Sequence, residues 1–545
     1  MPDRTLTAVR STLAAAWLLL AVPLFGFGHH GPRARVTGGK LEGALSPDGQ
    51  VAEFLGVPYA APPVGPLRWR PPQPAASWHG VRSATHFGPR CMQSQLYSDM
   101  IFRDPGPSED CLTLNVWKPA HPASKHLPVM VWIFGGGFVT GGTSEPRQDG
   151  AALAQRGVIV VSMNYRLGIF GFFAHPALAA ESPEKAAGNY GLMDQAAALR
   201  WVQRNIHAFG GDPKNVTIFG ESAGSISVSA QMAAPASIGL FARAMGESGG
   251  AFRVDGRGWP SLADSEQQGQ AFTRWACGAC DLAALRAMPA ADLLHKASHR
   301  PHGAMLAVGR PNVDGDFLPQ PPAAIYAAGK QAHVPLLAGW NRDEGSFSMK
   351  GLTVKPDLDG MQTLATKDFG AQAPGWLKVY HATSDAEAGR AILDYEGDRF
   401  IAFSTWEWLE QQVRTGAAPV YRYRFDLPSP GDPNHPASFG AFHSDDIEYV
   451  FGTLDSRQGA HWRPEDYQLS RQMQSYWVNF ATHGDPNGAG LPKWPQYNAP
   501  EWQVMHLAPQ SQARPDQHRA RYLFLEKDWG SKQNEQDAAK TARKG

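Results

Sequence analysis

The chain has 545 residues, 43% hydrophobic and 18% charged, the composition of an ordinary globular protein with ample volume for a buried core. Lysine plus arginine equals aspartate plus glutamate, 50 of each, so the formal charge is zero. That balance leaves no basic field to hold nucleic acid or an anionic membrane surface, and the expected partner is a small molecule not selected by bulk charge.

Residues 1–28 have the pattern of an export signal: Arg4 and Arg10 supply positive charge, Leu13 to Phe27 is apolar, and Gly26-Phe27-Gly28 offers a small-x-small cleavage site. Pro23 and the shortness of the run argue against a retained membrane anchor, since a stable span needs roughly 20 apolar residues. Release would make the mature protein secreted or periplasmic, with His29-His30 as a solvated end and not a metal site. Four cysteines in an exported chain imply two disulfides. Cys277 and Cys280 form a CxxC, read as a small structural loop because nothing thioredoxin-like surrounds it.

Residues 36–57 alternate enough to be antiparallel strands, whereas residues 58–74, PYAAPPVGPLRWRPPQP, cannot be regular structure because proline fixes φ and removes donors. That stretch is expected to run extended over the surface with Trp69 as a packing anchor. Leu127 to Ile133 and Gly157 to Met163 are valine-rich apolar runs, the signature of strands covered on both faces. Leu192, Ala196, Leu199, Val202 and Ile206 recur at helical spacing over 192–209. Strand, helix, strand is the βαβ grammar of a mostly parallel sheet. Later strands are expected at 334–339 and 420–425, and helices at 404–413 and 469–481. No repeat or linker marks a second domain, so residues 29–530 read as one domain, followed by a polar tail, 531–545, expected to be disordered.

The chain is organised around Asn215 to Gly224, NVTIFGESAG. A β-rich run, then Gly220-Glu221-Ser222-Ala223-Gly224, then a helix of small residues fits the nucleophile elbow of an α/β-hydrolase. Side chains at 220 and 224 would collide in so tight a turn, and the serine must accept an unfavourable backbone conformation. Its hydroxyl then stands at a helix N-terminus that favours developing negative charge. Phe134-Gly135-Gly136-Gly137-Phe138 directly follows the strand ending at Ile133, and successive glycines let backbone N–H groups turn toward one point. Gly136 and Gly137, with the N–H of Ala223, are the expected oxyanion donors.

An acid and a base complete such a site, in the chain order serine, acid, histidine. The acid is expected just past the strand at 334–339, where Asp343 and Glu344 stand side by side, one to orient the imidazole and the other in a surface salt bridge. Spacing does not choose among histidines 381, 435, 443, 461, 483, 506 and 518.

Taken together, these segments resemble the type-B carboxylesterase and cholinesterase family over nearly the whole mature chain. The resemblance is carried by FGESAGS, by Ser108-Glu109-Asp110-Cys111-Leu112 continuing TLNVW, and by VWIFGGGF, FLGVPYAAPPVGPLRW, Asn189-Tyr190-Gly191-Leu192 with Asp194-Gln195, and GAFHSDDIEYVFG. It implies a single α/β-hydrolase domain with a large central, mostly parallel, twisted sheet flanked by helices. It also implies His443 as the base, Glu344 as the acid, Ser248 as a supporting serine near the triad, and a Cys91–Cys111 disulfide. Glu221, adjacent to the nucleophile, is read as a supporting residue that either adds negative potential in the gorge or, the favoured reading, is only structural.

Departures from the family pattern carry expectations too. Phe134 stands where relatives often have histidine or tyrosine, which should alter the rim of the oxyanion loop without removing its donors. No tryptophan lies between Cys91 and Cys111, so a cation–π seat for quaternary ammonium is absent from that loop and a cholinesterase is discounted. The same loop is short for the flap of a lipase, and Cys277 and Cys280 are closer than the family's second disulfide usually is. The implied activity is hydrolysis of small-molecule carboxylic esters through an acyl-enzyme, with no metal or organic cofactor. A lipase or thioesterase of the same fold is the nearest alternative, and a non-catalytic adhesion protein the more distant one. Loops 92–110, 250–265 and 296–312 are expected to wall the substrate pocket.

Overall fold

The computed structural model describes residues 31–253, 258–278, 280–299 and 309–542, excluding the side chains of residues 350 and 533–542. The expected export signal and parts of two expected pocket loops, 254–257 and 300–308, lie outside the described residues.

Eleven strands form one mixed sheet. In chain order they are β1 (Ala44–Leu45), β2 (Val51–Pro58), β3 (Thr113–Pro119), β4 (Leu127–Ile133), β5 (Ile159–Met163), β6 (Gly211–Glu221), β7 (Arg243–Glu247), β8 (Leu336–Asn341), β9 (Val420–Phe425), β10 (Gln503–Leu507) and β11 (Gln512–Pro515). Their spatial order is β11-β10-β9-β8-β7-β6-β4-β5-β3-β2-β1. Every pairing from β10 across to β5 is parallel, and the pairings at both edges are antiparallel. The apolar runs behave as expected. All of β5 and all of β4 but Pro128 is buried, because helices cover both faces and leave no polar side to alternate with.

Flanking helices include α1 (Tyr190–Asn205), α2 (Ala223–Ala233), α3 (Asp385–Gly397), α4 (Phe403–Thr415), α5 (Pro464–His483) and α6 (Arg519–Ala542). In α1 the buried Leu192, Ala196, Leu199 and Val202 recur at the expected spacing, and a short 3-10 turn, Ile206–Phe209, ends on Gly210 at φ 87°. On the sheet, Trp132 of β4 packs against Phe219 of β6 and Phe451, each with ring centroids 4.8 Å apart. Among the described residues no helix is long and apolar enough to cross a membrane.

In the polar tail the backbone is helical through Ala542, where α6 runs on through residues rich in alanine, lysine, glutamate and glutamine, which lose little on entering a helix. Lys532 anchors the start of that extension, donating to the Asp368 carbonyl at 2.8 Å. The proline-rich stretch is less featureless than expected, holding a 3-10 turn at Gly65–Leu67 and a bridge between Ala60 and Pro74. Trp69 is its anchor, fully buried and donating its indole N–H to the Ile169 carbonyl at 2.8 Å.

Two buried ion pairs tie the outer segments to the sheet. Arg68 reaches Glu109 through both carboxylate oxygens, at 2.7 and 2.6 Å. Arg166, in the loop after β5, pairs with Asp194 of α1 through two contacts of 2.7 Å. Planar guanidinium and carboxylate groups match in this bidentate geometry, which fixes orientation as well as distance.

Candidate active site

The C-terminal ends of the parallel strands bring the site together, as open α/β sheets do. The glycine turn follows β4, Ser222 follows β6, Ser248 follows β7 and Glu344 follows β8. His443 arrives on the long connection after β9.

Ser222 has φ 54° and ψ −122°, a conformation that L-residues seldom adopt. It is held there by its own N–H donating to the Glu247 carbonyl at 2.8 Å and by Ile226 N–H closing the first turn of α2 onto its carbonyl at 2.9 Å. The glycines flanking the elbow crowd each other as expected, since a Cβ on Gly220 would come within 2.7 Å of the Gly224 carbonyl carbon. The harder limit is the Ile133 carbonyl of β4, 2.5 Å from such an atom at 220 and 1.9 Å at 224. Any side chain at either position would push the elbow off the neighbouring strand.

His443 Nε2 lies 3.0 Å from Ser222 Oγ, and its Nδ1 lies 2.7 Å from Glu344 Oε2. A carboxylate only accepts, so Nδ1 carries the proton and Nε2 of the neutral ring is left to accept from the serine hydroxyl. The other oxygen of Glu344 accepts from Ser248 Oγ at 2.5 Å and from the Asn341 N–H at 2.8 Å. Phe400 meets the imidazole edge-to-face at 4.9 Å. It projects from a π-helical turn, Asp398–Ala402, between α3 and α4, which no sequence periodicity announces.

Across from the serine, Gly136 and Gly137 turn at φ 100° and 64°. Among the described residues neither of their N–H groups has an acceptor. Ala223 is the first residue of α2, where backbone N–H groups are left without intrahelical partners. Gly135 lets the turn close onto the elbow, since a Cβ there would sit 3.0 Å from Ser222 Cβ. Phe134 does not form the rim of this loop as expected. It is buried, stacks on Tyr165 at 4.5 Å, and its carbonyl accepts from the Tyr165 hydroxyl at 2.7 Å, so it braces the turn from beneath.

Negative charge is concentrated around the imidazole. Glu221 Oε1 is 3.3 Å from His443 Nε2 and makes no hydrogen bond among the described residues, a placement that favours negative potential at the ring over the purely structural role preferred from sequence. Asp446, held by Tyr423 and Asn341, and Glu247, held by Trp477, are buried close by. Burial alone would lower the His443 ring, but the Glu344 and Glu221 carboxylates outweigh it and carry the ring up to about 9. Burial, reinforced by Asp446 and Glu344, pushes Glu221 to about 8, and it also lifts Glu247 and Asp446.

The cysteines pair as Cys91–Cys111 and Cys277–Cys280. The other histidines stand elsewhere: His506 bonds Asp426, His435 bonds Asp432, and His518 lies against Arg424. Asn341, Asp446 and Phe400 were not singled out from sequence: Asp446 lies within the GAFHSDD motif, but all three act through fold contacts that no local pattern announces.

A strained serine at a strand–helix elbow, hydrogen-bonded to a carboxylate-held imidazole and packed against a glycine turn, is the arrangement of an α/β-hydrolase serine hydrolase. Residues 30–524 match the carboxylesterase family. Fumonisin B1 esterase of Sphingopyxis macrogoltabida is 38% identical over 90% of this chain and 89% of its own. Para-nitrobenzyl esterase of Bacillus subtilis (strain 168) is 37% identical over 84% and 91%, and mouse (Mus musculus) cholinesterase 36% identical over 92% and 87%. A solved PNB esterase structure superposes with a TM-score of 0.76 at 34% identity, covering 91% of this chain and 100% of that one. The chain belongs to the carboxylesterase family, and it is a carboxylic ester hydrolase.

Proposed function

We propose that Ser222 is the nucleophile, His443 the general base and acid, and Glu344 the acid that orients it, with the N–H groups of Gly136, Gly137 and Ala223 as the oxyanion hole. His443 Nε2 takes the hydroxyl proton as Ser222 Oγ attacks the ester carbonyl. The oxyanion is stabilised by the three backbone donors, His443 returns the proton to the leaving alcohol, and an acyl-enzyme remains. Water, deprotonated by the same imidazole, then releases the acid and frees the serine. Glu344 holds the Nδ1–H tautomer and balances the imidazolium that forms in each step; Ser248 fixes the carboxylate.

The observation that carries this reading is the unbroken hydrogen-bond line from Glu344 through His443 to Ser222, against which the glycine turn packs so closely that a Cβ on Gly135 would sit 3.0 Å from Ser222 Cβ. Ser222→Ala is expected to lower kcat by roughly 10⁶-fold and to abolish labelling by a small organophosphonate. Near-wild-type turnover in that variant would exclude Ser222 as the nucleophile.

The substrate in this reading is a small-molecule carboxylic ester. Esters varied in acyl and alcohol size, with and without a lipid interface, separate an esterase from a lipase or thioesterase. Export of a single-domain protein without stable membrane insertion is supported by the charge and hydrophobic pattern of residues 1–28 and by two disulfides, which persist in oxidising compartments. An amino terminus still at Met1 in the mature protein would count against cleavage.

A further inference from the structure

We infer that Asp343, the neighbour of the triad acid, is a positioning residue that clamps the histidine-bearing loop onto the end of β8. This rests on His443 being the catalytic base.

His443 sits on a long connection, where local contacts such as the Ser444 hydroxyl on the His443 carbonyl at 2.6 Å shape the turn but do not tie it to the sheet. Three of the four residues from the end of β8, 341–344, grip the three that end at the histidine. Asn341 donates its side-chain N–H to the Phe442 carbonyl at 2.7 Å. Asp343 binds Ala441 from both sides, its own N–H donating to the Ala441 carbonyl at 2.9 Å and its carboxylate accepting the Ala441 N–H at 2.8 Å. Glu344 then holds the ring itself. Asp343 thus makes two of the backbone contacts that set the height of His443, yet touches neither the imidazole nor the serine.

The carboxylate is itself held rigidly. Arg342 donates to it at 3.0 and 2.8 Å, and Arg390 of α3 pairs with its other oxygen while donating to the Arg342 carbonyl at 3.1 Å. Arg390 continues to Asp394 at 2.6 Å, and Asp394 to Arg521 of α6 at 2.8 Å. Burial alone would raise Asp343, but the two guanidinium groups outweigh it and keep it below the usual carboxylate range, so the acceptor stays ionised. Gly440 completes the fit. At φ 71° it brings the loop so close that a Cβ would lie 2.2 Å from Asp343 Oδ2. A salt bridge serving only the surface would need neither that glycine nor the paired backbone contacts.

The test measures kcat and KM of Asp343→Ala and Asp343→Asn, with active sites counted by a small organophosphonate so that misfolded protein does not enter the rate. A displacement of the base on the scale of 1 Å costs roughly 10²-fold, so Asp343→Ala should lose about that much in kcat with KM changed by less than about threefold. Asparagine keeps an acceptor for the Ala441 N–H and should recover most of the loss. If Asp343→Ala does not fold, Gly440→Ala, which wedges a methyl against the clamp, should show the same split between kcat and KM. A kcat per titrated site close to wild type in the alanine variant, or an asparagine variant as impaired as the alanine one, would overturn the clamp. His443→Ala, assayed alongside, isolates the premise: if it stays active the base assignment fails, and if it is dead while Asp343→Ala is normal, only the clamp fails.

Discussion

Two buried charge clusters, solved in opposite ways, divide the labour of this molecule. At Arg166–Asp194 one cation meets one carboxylate through two hydrogen bonds, with side chains 3% and 0% exposed, and the Arg166 backbone N–H adds a third contact. Around His443 four buried carboxyl groups, Glu221, Glu247, Glu344 and Asp446, cluster near a single imidazole, and among the described residues Glu221 Oε1 and Glu247 Oε2 have no hydrogen-bond partner. Burial pushes the Asp194 carboxyl up and Arg166 returns it only part of the way, while Arg166 is itself held up by the carboxylate. The bidentate geometry decides that pair in favour of both ions. It has no slack and fixes a loop. The other cluster holds more carboxyl groups than cations, so its protons are shared between the imidazole and carboxyls that burial has raised, and the ring can take up and release a proton, which is what a general base needs.

Breaking each cluster should therefore fail differently. The largest effect is expected from His443→Ala, with kcat lower by roughly 10⁶-fold and only a modest fall in thermal stability, because the raised carboxyls can take up the proton that the ring no longer holds. Steady-state rates and a melting curve check both halves. A large fall in melting temperature would mean that the histidine also anchors its loop. Next comes Asp194→Ala, which strands a buried guanidinium and should cost about 3–5 kcal/mol of unfolding free energy. Its kcat per titrated site should stay near wild type. Denaturant unfolding gives the first number, and an unchanged midpoint would show that water or a neighbour rescues Arg166.

The same contrast explains what could be read from sequence. The elbow and the glycine turn are local, since strand, turn and helix are contiguous and the glycines are required by a carbonyl one strand away. β4 and β5 were legible because burial on both faces leaves an uninterrupted apolar run. β7, RAMGE, and β10, QVMHL, have no such run and borrow their structure from neighbours. The histidine was not legible from spacing, and the structure shows why. His506 and His435 each bond a carboxylate too, at 2.7 and 3.0 Å, so an acid beside an imidazole is common in this fold. Only the closing of residues 341–344 onto 441–443 brings one such pair to the serine, and that closure is a long-range event. The resemblance named His443 and Glu344, and Glu221 was singled out as the nucleophile's neighbour, but its 3.3 Å approach to the ring, and Phe400 on its π-helical turn, emerged only from packing.

Glu221 offers a smaller and sharper perturbation. Catalysis requires the neutral ring, so kcat/KM falls as pH drops through the pKa of His443, which the carboxylates hold near 9. Glu221 itself lies near 8, so the protons leave this pair in two steps that belong to both groups. Glu221→Gln removes a negative charge that favours imidazolium, and the acid limb should move to lower pH, toward the ordinary histidine range. A pH profile of kcat/KM with the limb unmoved would mean that Glu221 is already neutral wherever the enzyme works.

The smallest effect is expected at Ser248, whose hydroxyl reaches Glu344 at 2.5 Å and, among the described residues, makes no hydrogen bond to His443 or Ser222. Ser248→Ala leaves that oxygen of Glu344 with only the Asn341 N–H, a loss of about 1.5–3 kcal/mol if the acid cannot recover a partner. Most of it should appear as lowered stability, because folded and transition states use the same carboxylate. The remainder, loosened aim of the imidazole, should lower kcat by about tenfold or less. Unfolding and turnover measured on the same variant separate the two. A fall in kcat approaching that of His443→Ala would make Ser248 part of the proton pathway instead of its support, and would place the boundary between charge that holds and charge that reacts one residue further out.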